Sequence, residues 1–355
     1  NKSKHFIKRV GGVGGEWFRI ERGDIWTRRS PDDPWRIATK SRRPRDELYL
    51  PVFPPVPDDD DDDPMGRMDD TWALDGAVVA PSLDALRLPG GEGSARYLPR
   101  ITDASLADSF ASSWGGQIVQ DIRVRFRLEA SPSAWATVSW STAEGHETTL
   151  ELAGADAGRD SSIRLKRPGL SLREDLSLSL PLDRGVEVEL ECVDGRVRVH
   201  LGGKEVVVLD EQRAIDALPA FDDFTQRLEI GAGGGAVGIT EIAIDRDVYY
   251  GDRGMEALVE GDEGLWIPED HYFALGDNTD SSHDSRKWNL EVIPLKDGTS
   301  IRYYYDRNAP PQYGTDSTTV VDAEGIERTW RHEDKDPAAP RSNYDERQPF
   351  VHRDL

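Results

Sequence analysis

Phe273-Ala-Leu-Gly-Asp-Asn-Thr-Asp-Ser-Ser-His-Asp-Ser-Arg-Lys-Trp288 is the stretch around which this 355-residue chain is organised. Its apolar lead, Tyr272 to Leu275, reads as a short buried strand. The strand runs into a turn whose side chains donate or accept hydrogen bonds. Gly276 lets the backbone bend where a Cβ would obstruct it. Asp277, Asn278 and Asp280 can bond back to nearby amides and lock the loop. Asp284 and Arg286 can pair across it, because a guanidinium fork matches a carboxylate. A polar loop this dense is built to hold something in place.

A second informative stretch lies near the start, Phe6-Ile-Lys-Arg-Val-Gly-Gly-Val-Gly-Gly-Glu16. Phe6, Lys8 and Val10 share one face of a strand by period-2 alternation, which puts the lysine on an apolar face. An unperturbed lysine, with pKa ~10.4, is protonated at neutral pH and cannot act as a base. Burial penalises the charged form and can bring the pKa down to ~7–8. The glycines at 11, 12, 14 and 15 read as a tight turn. No Gly-Lys-Ser/Thr ending follows, so a phosphate-cradling loop is not supported.

Together the two stretches resemble conserved boxes of type I signal peptidases, the membrane-bound serine–lysine endopeptidases of the bacterial-type secretion pathway. Gly276, Asp277, Asn278, Asp280, Ser282, Asp284, Ser285 and Arg286 fall on the later box. Lys8, Arg9, Val10, Gly12 and Gly15 fall on the lysine box. Gly11 stands where an apolar residue is usual, Gly14 replaces a proline and Glu16 replaces an aspartate; these departures are expected to loosen the turn and leave the lysine in place. The resemblance implies that Lys8 is the general base and that Ser282 hydrogen-bonds the amine and orients it. It also implies that Arg9 pairs with Asp277 and Asp284 with Arg286, bracing the site. In such chemistry a serine attacks the scissile carbonyl, a neutral lysine takes its proton, and amide or hydroxyl donors stabilise the oxyanion.

The family's nucleophile lies upstream of the lysine strand, near a membrane anchor. Ser3 is too close to Lys8 and lacks the Ser-x-x-Pro context, so it is not assigned. The nucleophile is expected to be absent here, and the chain alone is expected not to cleave. The resemblance further implies signal-peptide-bearing precursors as substrates, cleaved after small residues. It implies an N-terminal membrane anchor in the full-length protein, a catalytic domain on the extracytoplasmic side, and neither cofactor nor metal. The last segment, Gln348 to Leu355, is similar to the family's proline-and-leucine stretch ahead of a final apolar strand. The chain is therefore expected to be an excised piece, short at both ends.

Between the boxes the sequence changes character. Prolines at 51, 54, 55, 57 and 64 flank the run Asp58 to Asp63, where like-charge repulsion and proline exclude a packed core. Residues 58–70 therefore read as a solvated linker. Beyond it, Ile122-Arg-Val-Arg-Phe-Arg-Leu128, Ala136 to Trp140, Val186-Glu-Val-Glu-Leu190, Val197 to Leu201, Arg227 to Ile230 and Ile239 to Ile244 alternate apolar with polar. Turn signals separate them, notably Asp194-Gly195 and Gly202-Gly203. That pattern predicts an antiparallel two-sheet sandwich. Its rhythm resembles concanavalin-like, laminin-G-like jelly rolls. Such folds often bind sugars, which makes Trp114, Trp135, Trp140 and His146 candidates to line a site, against the alternative that they are core.

The predicted fold class is mainly β: a small β-rich signal-peptidase-like domain in two parts, 1–57 and 251–355, with an inserted antiparallel jelly roll at 71–250 and a polar excursion at 292–347. Within the excursion, Ser300–Tyr305 and Thr318–Val321 are candidates to pair as strands. Trp17 to Trp26 reads as a hairpin turning at Gly23-Asp24. Three roles are open to the insert: binding glycan, contacting a partner protein, or spacing the site from the membrane. The rival to the peptidase reading is a non-catalytic glycan- or protein-binding module on a passive scaffold. Asp280, Ser282, Asp284 and Glu291 also match positions one, three, five and twelve of a calcium loop, but Ser285 stands where that motif needs glycine.

Composition excludes several classes. A formal net charge of -23 argues against nucleic acid and anionic membrane surfaces as partners. Cys192 is the single cysteine, so neither an intrachain disulfide nor a thiolate cluster can form. No apolar run approaches the ~20 residues needed to span a bilayer.

Overall fold

In a computed structural model of the chain, the described residues are 8–41, 46, 48–54, 71–102, 118–142, 146–167, 170–176, 184–210, 226–251, 255, 264–276, 284–286, 288–306, 317–321, 327–331, 333 and 350–352. Every named element is a β-strand, and every named pairing is antiparallel. The chain divides into two compact units. One is made of residues 1–38 and 249–355, and the other of residues 39–248.

Two sheets of more than two strands build the first unit among its described residues. In one, β1 (Arg9–Val13) pairs with β21 (His271–Leu275), which pairs with β26 (Phe350–His352). In the other the order is β20 (Leu265–Ile267), β2 (Glu16–Glu21), β3 (Asp24–Arg28) and β4 (Arg36–Ile37). Phe18 and Phe273 are fully buried, with ring centroids 4.4 Å apart, and Trp26, Ile267 and Leu275 complete the core. The β2–β3 hairpin turns one residue earlier than expected. Glu21 pairs with Asp24, and Arg22 and Gly23 carry φ of 53° and 89°. Positive φ at both central residues gives the tight two-residue turn that matches strand twist.

The glycine run is only partly a turn. Gly11 and Gly12 lie inside β1, where a Cβ on Gly12 would stand 2.5 Å from Ile267 Cδ1. The turn itself is Gly14-Gly15, closed by the Val13 N–H donating to Glu16 Oε1 at 2.8 Å. A Cβ on Gly14 would meet the Glu269 carbonyl oxygen at 2.0 Å, so this glycine answers close backbone approach and does not loosen the turn.

The polar excursion forms two local hairpins. β22 (Trp288–Pro294) pairs with β23 (Ser300–Asp306), and β24 (Ser317–Val321) pairs with β25 (Glu327–Arg331). The expected pairing of 300–305 with 318–321 is thus replaced by pairing within each hairpin, because each strand finds its partner across a short connection at lower closure cost. Ile293, Ile301, Val320 and Trp330 form a small common core.

The second unit is the sandwich. Its first sheet runs β17 (Lys204–Asp210), β16 (Arg196–Leu201), β15 (Val186–Val193), β10 (Ile122–Ala130), β19 (Val237–Arg246), β8 (Ala85–Leu88) and β7 (Val79–Ser82). The second runs β14 (Leu170–Asp175), β13 (Ser162–Arg167), β12 (Glu147–Ala153), β11 (Trp135–Ser141), β18 (Arg227–Gly233), β9 (Glu92–Tyr97) and β6 (Trp72–Gly76). Alternation sets the faces: Ile122, Val124, Phe126 and Leu128 are buried, while Arg123, Arg125 and Arg127 point the other way. Ala136, Val138 and Trp140 do the same from β11. The expected turns at Asp194-Gly195 and Gly202-Gly203 join β15 to β16 and β16 to β17, with positive φ at all four residues.

The sandwich begins earlier than the proline-rich stretch suggests. β5 (Leu50–Phe53), expected to belong with residues 1–57, pairs with β19 through Ile244↔Phe53 and Arg246↔Leu50. Phe53 then packs edge-on against Trp72 and Tyr97, at 5.8 and 5.7 Å between centroids. Four residues are too few to display a period, and Pro51 is tolerated where no ladder hydrogen bond is needed from it.

A buried ionic clasp joins the two ends of this unit. Lys40 Nζ donates to Asp194 Oδ1 at 2.5 Å and to Asp247 Oδ2 at 2.6 Å, and its backbone N–H donates to Asp194 Oδ2 at 2.9 Å. Asp121 completes it, accepting from the Asp194 N–H at 2.6 Å. Two carboxylates thus hold one ammonium, and a third, Asp121, fixes the backbone of one of them. Burial pushes the Asp247 carboxyl up to about 6 against the pull of Lys40, with Asp194 and Asp121 adding to the rise.

Four outcomes are expected. Lys40→Met leaves the aspartates without their cation and is expected to lower stability by about 3–5 kcal/mol in urea unfolding. Asp247 has a folded pKa above its unfolded value, so its contribution is full below the unfolded pKa and is lost as pH rises through about 6. The stability difference between wild type and Asp247→Asn should therefore change between pH ~4 and ~6, and a flat difference contradicts the clasp. Gly14→Ala is expected to destabilise by about 1–3 kcal/mol in thermal unfolding. Gly251→Ala, with open space around its Cβ position, should stay within about 0.5 kcal/mol.

Candidate functional site

The two sequence boxes meet in one sheet. β1 and β21 pair with Arg9 opposite Leu275 and Val10 opposite Ala274, then shift register so that Gly12 faces Phe273 and Val13 faces Tyr272. One step beyond the first pair lie Lys8 and Gly276. Lys8 is half-buried, as is Arg9. The expected apolar face differs in one respect: Val10 is 60% exposed. Strand alternation places Val10 with Lys8, but that face of β1 is not covered at Val10, so the lysine's partial burial does not come from a valine packed beside it.

The later box is clamped to β21 at both of its described ends. The Ala274 N–H donates to Ser285 Oγ at 2.9 Å, and the Ser285 N–H donates back to the Ala274 carbonyl at 3.0 Å. The Gly276 N–H donates to Asp284 Oδ2 at 3.1 Å. Asp284 and Arg286 form a bidentate pair, with Nε donating to Oδ1 at 2.9 Å and Nη2 donating to Oδ2 at 2.7 Å, both side chains being buried. Arg286 Nη1 donates onward to the Gly251 carbonyl at 2.8 Å. A fork-to-fork pair of this kind is strong and directional. Because both Asp284 oxygens are already taken by donors, this residue does not fit the calcium-loop reading. Asp277 and Ser282 lie outside the described residues, as do Asp280 and Phe6.

In the sandwich, two of the residues expected to line one site, Trp135 and Trp140, do not share a face. Trp140 is in the core, while Trp135 points outward with Arg159 over its ring at 4.5 Å. Residues five apart on a strand project to opposite sides. Trp114 lies outside the described residues, and His146 sits just ahead of β12. What the sequence reading missed is on the other sheet. A groove of about 280 Å³ is lined by Arg125, Arg127, Glu187, Glu189, His200 and Glu241, among others. The signal was present in Arg-x-Arg-x-Arg and Glu-x-Glu-x-Glu on β10 and β15, which register places opposite each other as Arg123↔Glu191, Arg125↔Glu189 and Arg127↔Glu187.

Among the described residues no helix is long and apolar enough to cross a membrane. Solved structures similar to the chain include a carbohydrate-binding module, CBM66, from Bacillus subtilis, at 8% identity and TM-score 0.30, covering 49% of this chain and 95% of that one. A Bacillus licheniformis beta-glucanase is similar at 9% identity and TM-score 0.34, covering 50% and 92%. The galectin LEC-6 of Caenorhabditis elegans is similar at 11% identity and TM-score 0.26, covering 36% and 82%. No curated protein matches the chain. The family model described as signal peptidase, peptidase S26, matches residues 206–299, a span that contains the whole of the Phe273–Trp288 box.

Proposed function

We propose that the unit formed by residues 1–38 and 249–355 is a signal peptidase-like serine endopeptidase of the serine–lysine type. Its substrates are signal-peptide-bearing precursors, met on the extracytoplasmic side of a membrane to which the full-length protein is anchored. The observation that carries this reading is the antiparallel pairing of β1 with β21, which sets Lys8 beside the start of the Gly276–Arg286 loop. The match of the signal peptidase family model to residues 206–299 supports it independently.

In this reading Lys8 is the general base, taking the proton of a serine nucleophile as that serine attacks the scissile carbonyl. Ser282 accepts or donates a hydrogen bond at the lysine amine and fixes its direction, the third-member role of a nucleophile–base pair. Arg9 with Asp277 ties the lysine box to the later box, and Asp284 with Arg286 braces the later box itself. None of the described serines is assigned the nucleophile's role. No step requires a metal or an organic cofactor, because proton transfer and oxyanion stabilisation are both within reach of side chains and amides. The alternative, a binding module on a passive scaffold, keeps the same fold and differs in the state of the lysine.

That difference is measurable. Reductive methylation with a carbon-13 label followed by NMR titration reports each lysine amine separately. A base requires the Lys8 amine to titrate near ~7–8. Titration near the ordinary ~10.4 makes it a surface lysine and favours the passive scaffold. Asp284→Asn, which strips a buried guanidinium of its carboxylate, is expected to lower stability by about 3–5 kcal/mol in urea unfolding.

A further inference from the structure

We propose that Glu189, Glu191 and His200 form a binding site for a divalent transition-metal ion, with Zn²⁺ as the reference ion, on the outward face of the first sheet of the sandwich. Glu189 and Glu191 are two apart on β15 and so share a face. On β16, His200 stands opposite Glu189 and Arg198 opposite Glu191. One donor atom from each of the three residues lies within 4.8 Å of the other two. Zinc donors sit about 2.0–2.2 Å from the ion, so a small side-chain adjustment closes the set.

His200 is the residue that points to an ion. Its side chain is within a few per cent of complete burial, yet neither ring nitrogen makes a hydrogen bond of regular geometry, and Glu189 is the nearest polar group to Nδ1. Buried polar atoms in folded proteins almost always have a partner. Carboxylate oxygens flank the ring: Glu189 Oε1 is 3.1 Å from Nδ1 and Glu205 Oε2 is 3.6 Å from Nε2. A cation bound at Nδ1 uses the lone pair and draws Glu189 and Glu191 together against their mutual repulsion. Glu205 then stands behind Nε2 as the outer carboxylate that fixes the tautomer and direction of a metal-bound imidazole.

The charge balance permits a cation. Arg198 Nη1 lies 3.6 Å from Glu191 Oε2 and offsets one carboxylate. Arg123 and Arg125 stand opposite Glu191 and Glu189 and both also pair with Asp245, so Glu189, Glu191, Glu205 and Asp245 against Arg123, Arg125 and Arg198 leave the surrounding charges net negative. Donor chemistry selects the ion: imidazole with two carboxylates suits zinc and its neighbours, whereas calcium takes oxygen ligands alone. Glu189 and His200 also line the charged groove, which gives an ion a route in and leaves a coordination position facing solvent or a ligand.

The test is isothermal titration of the chelator-stripped 355-residue chain with Zn²⁺ and, separately, with Ca²⁺. One saturable equivalent of Zn²⁺, much weaker Ca²⁺ binding, and affinity reduced about 10-fold or more in His200→Gln and in Glu189→Gln are expected. His146→Ala, remote from the cluster, should bind as wild type does. Circular dichroism establishes that the variants fold; should His200→Gln fail to fold, Glu189→Gln, at a partly exposed position, decides the matter. Absence of saturable Zn²⁺ binding, equal affinity in the variants, or Ca²⁺ bound as tightly as Zn²⁺ overturns the assignment. His200 is then a buried side chain held between Glu189 and Glu205 with no ion.

Discussion

The pairing of β1 with β21 is the constraint on which the functional account depends. It joins residues more than two hundred and sixty positions apart through a ladder that begins at Arg9↔Leu275. The bulge between Val10 and Gly12 re-aims the end of β1 so that Gly12 can lie against Ile267 and Phe18. From the other side, Ser285 and Asp284 bond back to Ala274 and Gly276. The chain on both flanks of 277–283 is therefore tied to the same strand that receives the lysine box. Pre-organisation of this kind is what the proposed base and its proposed orienting hydroxyl need, since proton transfer demands separations near hydrogen-bond length.

A ladder between such distant segments is entropically feasible because what lies between them is itself compact. Loop closure grows only slowly with length, and a domain whose ends lie close together reduces it further. The Lys40 clasp supplies that closeness within the sandwich, tying residue 40 to residues 194 and 247. A lysine pairing with two buried aspartates is a poor way to add stability compared with apolar packing. Its value here is directional, because an ammonium between fixed carboxylates has one satisfactory position.

Much of the fold was legible because its strands are long and one-sided. Nine residues of β10 alternate without a break, and the Asp194-Gly195 turn has the chemistry that a two-residue hairpin demands. What was not legible depended on packing or on short elements. β5 has four residues and acquires its place only through Phe53 against Trp72 and Tyr97. Gly14 read as slack because spacing does not reveal that the Glu269 carbonyl approaches it. In the site, the Asp284–Arg286 contact was readable from complementary chemistry two residues apart. The exposure of Val10 was not, since alternation says which residues share a face and not whether that face is covered. The Glu189, Glu191 and His200 cluster escaped notice because it spans two strands and appears only once their register is known.

The most direct examination of the account replaces Val10 and Ala274 with cysteine together. Antiparallel partners have Cα atoms about 4.5–5.5 Å apart, within the range that a disulfide accepts. Cys192 is buried and stands outside the pair. Under mild oxidation the doubly substituted protein should form an intramolecular disulfide between positions 10 and 274, located by peptide mapping. Two thiols that remain open to alkylation in a folded protein would mean that the lysine box and the Gly276–Arg286 loop are not neighbours, and the proteolytic reading would fall with them.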